Sequence, residues 1–328
     1  MGSYRLQAID ASTWLPASEV AGVESISFKA DANRDGSSPL MQSCMLDVAG
    51  RLDEGYYRIS ELDGAQATPI ATMLLIPDSS DYACGSWSSS LSGRSVLEQA
   101  SKTYLAPGAY VPQGTDCIAW AAKLLADTIP APVTFDGSFN LAEHVVFDLG
   151  ASHLDGIWQV LGIAGFAMGI GPDGTVRICQ RPTEPALVIN TANRGIIGCE
   201  ISRGLPIADV PNVVRVYVDG VEFVSRNDDA SSPTSTVSRG RVIEHIEEDP
   251  ILKDGESPTR YAMRRLSELS EVYETYDVAR RHVEGVTANS LIRVNLPEQG
   301  IEGDFTVMSQ SIECEGGIDV SETWGRLA

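Results

Sequence analysis

The stretch LIRVNLPEQGIEGDFTVMSQSIEC, residues 291–314, reads as a strand, a glycine-containing turn and a second strand. Ile292, Val294 and Leu296 alternate with Arg293 and Asn295, while Phe305 and Val307 alternate with Thr306 and Met308. Apolar residues at every second position line one face of a strand, so each run buries one side. A third run towards Glu322–Leu327 follows, and the chain ends on an antiparallel module.

The remainder of the 328 residues supplies more of the same, interrupted once. Tyr4–Ile9, Ser25–Lys29, Met41–Val48, Tyr56–Ser60 and Ile70–Ile76 are short apolar runs bounded by Gly, Asp, Pro or Ser. Asp31–Ser38 and Asp63–Gly64 are turn signals, because Asn, Asp and Gly accept the backbone angles of tight turns. Strands at this spacing predict a small barrel or sandwich. Helical spacing then takes over. Ser95–Leu105 predicts a short helix, and Asp116 caps a second with Ile118, Ala121, Ala122 and Leu125 on one face. A third starts near Ser152 and carries Leu154, Ile157, Trp158 and Leu161. It leads into a hairpin, Phe166–Ile170 and Thr175–Cys179, turning on Pro172-Asp173-Gly174. Strands return with Val213–Val218 and Val221–Val224 around Asp219-Gly220. A polar, serine-rich stretch, Arg226–Arg239, reads as a mobile loop and the first site for a protease. Ser257-Pro258 opens a last helix in which Ala262, Leu266 and Leu269 share a face.

Composition narrows the function. The chain carries 45 acidic and 24 basic residues, a formal charge of −21. Gripping a phosphate backbone needs clustered Lys and Arg, so specific nucleic-acid binding is not expected. An acidic wall suits a channel through which DNA passes without sticking. No run reaches the roughly 18 apolar residues of a membrane span, and the N-terminus has no secretory pattern. Six cysteines, none in a Cys-x-x-Cys pair, read as buried thiols of a chain folded in a reducing cytoplasm.

Chemistry is sparse. His144 and His153, flanked by Glu143 and Asp155, lack the helical spacing of a metal pair, and His245 and His282 stand apart. Glu247-Glu248-Asp249 is a run of acids, but sequence neighbours do not set the spacing of a glycosidase dyad. Gly-x-Ser-x-Gly is absent, and Gly162-Ile163-Ala164-Gly165 lacks the pattern of a nucleotide loop. Trp14, Trp87, Trp120, Trp158 and Trp324 are scattered, with Trp120 and Trp158 expected as core anchors. No catalytic, cofactor-binding or metal-binding residue is assigned, and no enzymatic activity or cofactor is expected.

Three segments, in order, resemble bacteriophage tail and baseplate hub proteins. Gly85-Ser86-Trp87 to Ile129 resembles a hub insertion. Residues 157–179, IWQVLGIAGFAMGIGPDGTVRIC, resemble the helix that runs into an Asp-Gly hairpin. Ser257–Ser270 with the terminal strands resembles the helix-then-barrel ending. The resemblance implies a β-rich α+β fold: two small β-barrel-like hub domains with an α/β insertion between them. Residues 1–84 would form the first barrel, completed by residues 181–210. Residues 85–180 would form the insertion, and residues 211–328 the second barrel, with a helical insertion near 257–271. It also implies a homotrimer joining a sixfold tail tube, or distal tail protein, to a threefold central spike or tail-tip protein. The tape-measure protein would be a further partner and DNA would pass through without specific binding. The chain itself would bind no membrane; it would be assembled in the host cytoplasm and reside in the virion tail. A phage-associated cell-wall hydrolase and a receptor-binding β-protein are the alternatives.

Overall fold

The structure, a computed structural model, describes residues 3–32, 41–64, 66–180, 183–204, 208–248, 250, 257–270 and 273–327. The expected turn over Asp31–Ser38 falls mostly outside them. Contacts divide the chain into two units, residues 1–201 with 277–324, and residues 202–276 with 325–328.

The larger unit begins with seven strands: β1 (Ser3–Ile9), β2 (Pro16–Val20), β3 (Val23–Asp31), β4 (Met41–Ala49), β5 (Gly55–Asp63), β6 (Gln66–Ala83) and β7 (Ser86–Arg94). Two departures from the sequence expectation matter. β6 runs well past Ile76, and β7, expected to open the insertion, pairs with both β4 and β6. The serines of β7 hid it: Ser89, Leu91 and Gly93 face inward and Ser88, Ser90, Ser92 and Arg94 outward, a period-two pattern with few apolar letters. Leu6, Ile26, Phe28, Leu46, Ile59, Met73, Leu75 and Leu91 are buried together. Gly93 is required here by close approach, since a Cβ on it would lie 2.5 Å from that of Cys44.

The insertion follows: α1 (Glu98–Lys102), β8 (Tyr110–Val111), α2 (Cys117–Ala126), β9 (Val133–Phe135), β10 (Val145–Val146), α3 (His153–Ala164), β11 (Phe166–Ile170) and β12 (Val176–Gln180). α2 and α3 start where the sequence places them, and α1 three residues later than Ser95. Asp116 accepts from the amides of Ile118 and Ala119, and Ser152 forms a reciprocal capping box with Asp155. Ile118, Ala121, Leu125, Ile157, Val160 and Leu161 are fully buried between the helices and the β11–β12 hairpin. Trp158 is buried as expected, and Trp120 stacks on Phe147 at 5.6 Å.

Next come β13 (Leu187–Asn190) and β14 (Ile197–Gly204), and at the end of the chain β18 (Tyr273–Arg280), β19 (Leu291–Leu296), β20 (Ile301–Cys314) and β21 (Asp319–Leu327); β15 to β17 lie between them in sequence. The sheet order is β14-β18-β21-β20-β3-β4-β7-β6-β5-β1-β2, with β19 on β20 and β13 on β19. The terminal strands therefore continue the sheet of β1–β7 through Glu313↔Ser27 and its neighbours. Within residues 181–210, β13 pairs with β19 and β14 with β18. β20 has fourteen residues, enough to pair β19 with one half and β3 with the other.

The smaller unit contains β15 (Val213–Val218), β16 (Val221–Arg226) and β17 (Glu244–Glu248), together with α4 (Thr236–Arg239) and α5 (Pro258–Leu269). Asp219 and Gly220 turn the β15–β16 hairpin at φ 50° and 78°, both in the left-handed region. Ala262 and Leu266 of α5 pack on Val214 and Val216. The stretch expected as a mobile loop is folded. Asn227, Ser232, Thr234, Thr236 and Asp228 hydrogen-bond one another, and Thr234, Ser235 and Thr236 are buried. Polar letters suggested exposure, but these side chains satisfy each other and the local backbone.

Candidate functional site

The residues first weighed for chemistry do not converge. His144 lies exposed in a loop, and the Nδ1 of His153 sits 2.8 Å from Thr128 Oγ1. His282 meets Glu61 at 2.6 Å. Glu247 and Glu248 are consecutive strand residues, so their side chains leave opposite faces of β17 and cannot flank one bond; Asp249 lies outside the described residues. Glu247 is occupied structurally, accepting from Tyr261 at 2.6 Å, Arg265 at 2.7 Å and His245 at 2.8 Å. Burial raises its pKa, but these three donors outweigh that and bring it to about 2. Among the described residues no three or more His, Cys, Asp or Glu side chains are arranged to hold a metal.

The cysteine expectation needs correction. Cys44, Cys117 and Cys314 are buried, with burial pushing the thiols of Cys44 and Cys314 up to about 12. Cys84 and Cys199 are exposed. Cys84 sits in the β6–β7 turn with φ 53°, where the chain reverses beyond the core.

What the fold does assemble is a polar sheet face. On the outer side of β20, β3, β4, β7 and β6, cross-strand partners fall into rows: Ser25, Asp47 and Ser90 in one, Glu313, Ser27, Met45 and Ser92 in the next. Serine hydroxyls hold the carboxylates. Ser25 and Ser90 donate to Asp47 at 3.0 and 2.6 Å, Ser92 to Asp78 at 3.0 Å, and Ser27 to Glu313 at 2.8 Å. These donors are neutral, so they fix each carboxylate without cancelling its charge. At one end a groove of about 350 Å³ is lined by Glu24, Asp47, Asp81, Glu315 and serines 25, 88, 89 and 90, with no cation among them. Lys29 and Arg94 share a row away from it. The only local trace of it is SSDYACGSWSSSLSG, residues 79–93, small polar letters on both sides of a Cys-Gly turn, which the sequence reading did not take as strands.

A second junction fixes the insertion hairpin. The carbonyl of Asp173 accepts from Trp14 Nε1 at 2.8 Å and Arg58 Nη2 at 2.9 Å, and that of Pro172 from Thr72 Oγ1 at 3.0 Å. Gly174, at φ 82°, lets the turn lie flat: a Cβ there would stand 2.8 Å from Trp14 and 2.9 Å from Thr72. The Asp-Gly turn read from the sequence thus anchors the insertion to β5, β6 and the turn before β2.

The fold as a whole, followed over nearly the full length of the chain, matches solved structures. The fold is that of phage tail proteins. It is shared with a tail protein from Neisseria meningitidis MC58 (TM-score 0.66, 15% identity, covering 99% of this chain and 97% of that one). It is shared equally with the 43 kDa tail protein of prophage MuSo2 from Shewanella oneidensis (TM-score 0.66, 10% identity, 99% and 98% covered). Prophage tail protein gp18 from Listeria monocytogenes EGD-e also matches (TM-score 0.51, 12% identity, 99% and 94% covered). No family model matches the sequence, and no curated protein sequence is significantly similar to it. With identities this low, the phage tail fold is carried by pattern and topology, not by shared residues.

Proposed function

We propose that this chain is a structural hub of a phage tail tip or baseplate, resident in the virion tail. Three copies form a ring that joins the sixfold tail tube, or a distal tail protein, to a threefold spike or tail-tip protein. The tape-measure protein and then DNA pass through it. Two barrel-like domains per copy would give the ring six similar walls. The observation that carries the reading is a fold shared, over 99% of the chain, with two tail proteins, one of them from a prophage, at TM-score 0.66. The serine-held carboxylate face supports the channel role: phosphates moving past its groove meet fixed negative charge and no Lys or Arg to displace their counter-ions, so they are not retained. A structural rather than catalytic role fits the use of Glu247 and Glu322 as hydrogen-bond hubs between strands and helices.

The test is a map of the assembled particle. The chain should appear as a trimer at the junction of tube and tip, and native mass of the free protein should include a species of three times 35.2 kDa. Location on the tail shaft or a fibre, or hydrolysis of peptidoglycan by the purified chain, would overturn the reading.

A further inference from the structure

We infer that the larger unit holds one ordered water molecule, bonded to Gln42, Thr72 and Thr287, where the sheet, the insertion turn and the segment before β19 meet. Ala30 of β3 has Gln310 of β20 as its cross-strand partner on one side and Gln42 of β4 on the other. Partners in one row share a face, so two glutamine side chains flank Ala30 on the inner side of the sheet. A glutamine on a buried face must find partners for its amide. Gln310 does, donating from Nε2 to Val286 O at 3.0 Å and to Glu322 Oε1 at 2.7 Å. Gln42 does not: its Oε1 is shut off from solvent and accepts no hydrogen bond from any described residue. Buried polar atoms in folded proteins are almost all bonded to protein or to ordered water, because an unmet one costs more than a made bond contributes.

The space beside Gln42 is a cavity of about 10 Å³, walled also by Ala30, Gln310, Thr72, Pro172 and Thr287. That is room for one water and too little for an organic ligand. Its wall supplies the remaining bonds. Thr72 Oγ1 donates to Pro172 O at 3.0 Å and accepts from Arg58 Nε at 3.1 Å, which leaves one lone pair. Thr287 Oγ1 makes only long contacts, 3.4 Å to Ala288 O and 3.5 Å to Ser290 Oγ, so its hydroxyl can turn to donate elsewhere. A water that donates to Gln42 Oε1 and Thr72 Oγ1 and accepts from Thr287 Oγ1 has the three bonds usual for a buried water. A cation of similar size is disfavoured, since the Arg58 guanidinium is bonded to the same Thr72 hydroxyl. The water therefore ties β4, β6 and the segment before β19 together, beside the carbonyls that seat the insertion hairpin.

The test is a high-resolution crystal structure of the full chain, with hydrogen exchange of β4 in the parent, Gln42→Met, Thr287→Val and the double variant. The map should show a peak about 2.7–3.2 Å from both Gln42 Oε1 and Thr287 Oγ1. Each single variant removes one bond to the water and should raise the exchange rate of the β4 amides about 5-fold. The double variant should fall well short of the roughly 25-fold product, because both side chains hold the same molecule. Gln42→Met nearly keeps the side chain's volume, so loss of packing does not account for the change. In a dry cavity the same variant would remove an unmet acceptor and slow exchange instead. No peak beside ordered side chains, slowed or unchanged exchange in Gln42→Met, or single effects that multiply would each overturn the inference. The site lies within one copy, so the outcome is independent of trimer formation and of the hub reading.

Discussion

Glu322 is the most exacting place to challenge the fold. Its carboxylate is completely buried with the guanidinium of Arg280. One oxygen accepts from Arg280 Nη2 at 2.6 Å and Gln310 Nε2 at 2.7 Å; the other accepts from Arg280 Nε and Trp324 Nε1, both at 2.8 Å. Three adjacent strands, β18, β20 and β21, are tied at this one group. In Glu322→Gln, either orientation of the amide turns its NH₂ towards two of those four donors. Two buried hydrogen bonds are lost and Arg280 keeps a charge without a partner, so the expected cost is about 3–5 kcal/mol. With a urea slope of about 3 kcal/mol per M, the midpoint should fall by roughly 1–1.7 M. Hydrogen exchange in β18, β20 and β21 should report the same loss, which avoids assuming that both units unfold together. Arg280→Met/Glu322→Gln removes both charges and should cost at least about 2 kcal/mol less than the sum of the single changes. A Glu322→Gln cost below about 1 kcal/mol, or additive single changes, would refute the reasoning.

Three other outcomes are expected. Gly174→Ala, strained at φ 82° and pressed against Trp14 and Thr72, should cost about 1–3 kcal/mol and raise exchange in β11 and β12 before it does so in β4. Glu247 has a folded pKa of about 2 against an ordinary 4.5. Its contribution is therefore complete above about pH 4.5 and is lost as pH falls towards 2, and Glu247→Gln should flatten that part of the stability profile of the smaller unit. In the native chain Cys84 and Cys199 should react quickly with a thiol reagent, while Cys44 and Cys314, buried and raised to about 12, should react only on unfolding; mass spectrometry of labelled peptides reads this directly.

Local signals carried much of this structure. Both Asp-Gly hairpin turns, the cap at Asp116, the helix start near Ser152, the start of α5 and the alternation of β19 were all readable, because each depends on a few neighbouring residues; in β20 the alternation breaks where Val307 and Met308 are both buried. Readings that failed depended on partners. The serines of β7 were grouped with the insertion because their hydroxyls answer to Asp47 and Asp78 on other strands. Arg226–Arg239 looked mobile because its polar side chains bond one another only after the turn has formed. Cys84 looked buried like Cys44, and only the length of the β6–β7 hairpin carries it clear of the core.

From its sequence alone this chain declared a β-rich fold with an α/β interruption, an acidic surface and a resemblance to tail hubs. Those properties sum over residues or over short windows, so order and composition suffice for them. Tertiary structure decided which strand lies beside which: that β20 joins the last strands to β3, and that serines and carboxylates share one face. Strand pairing brings together residues nearly three hundred positions apart, as in Ser27 and Glu313, and a period-two pattern marks a buried face without naming the strand that will cover its edge.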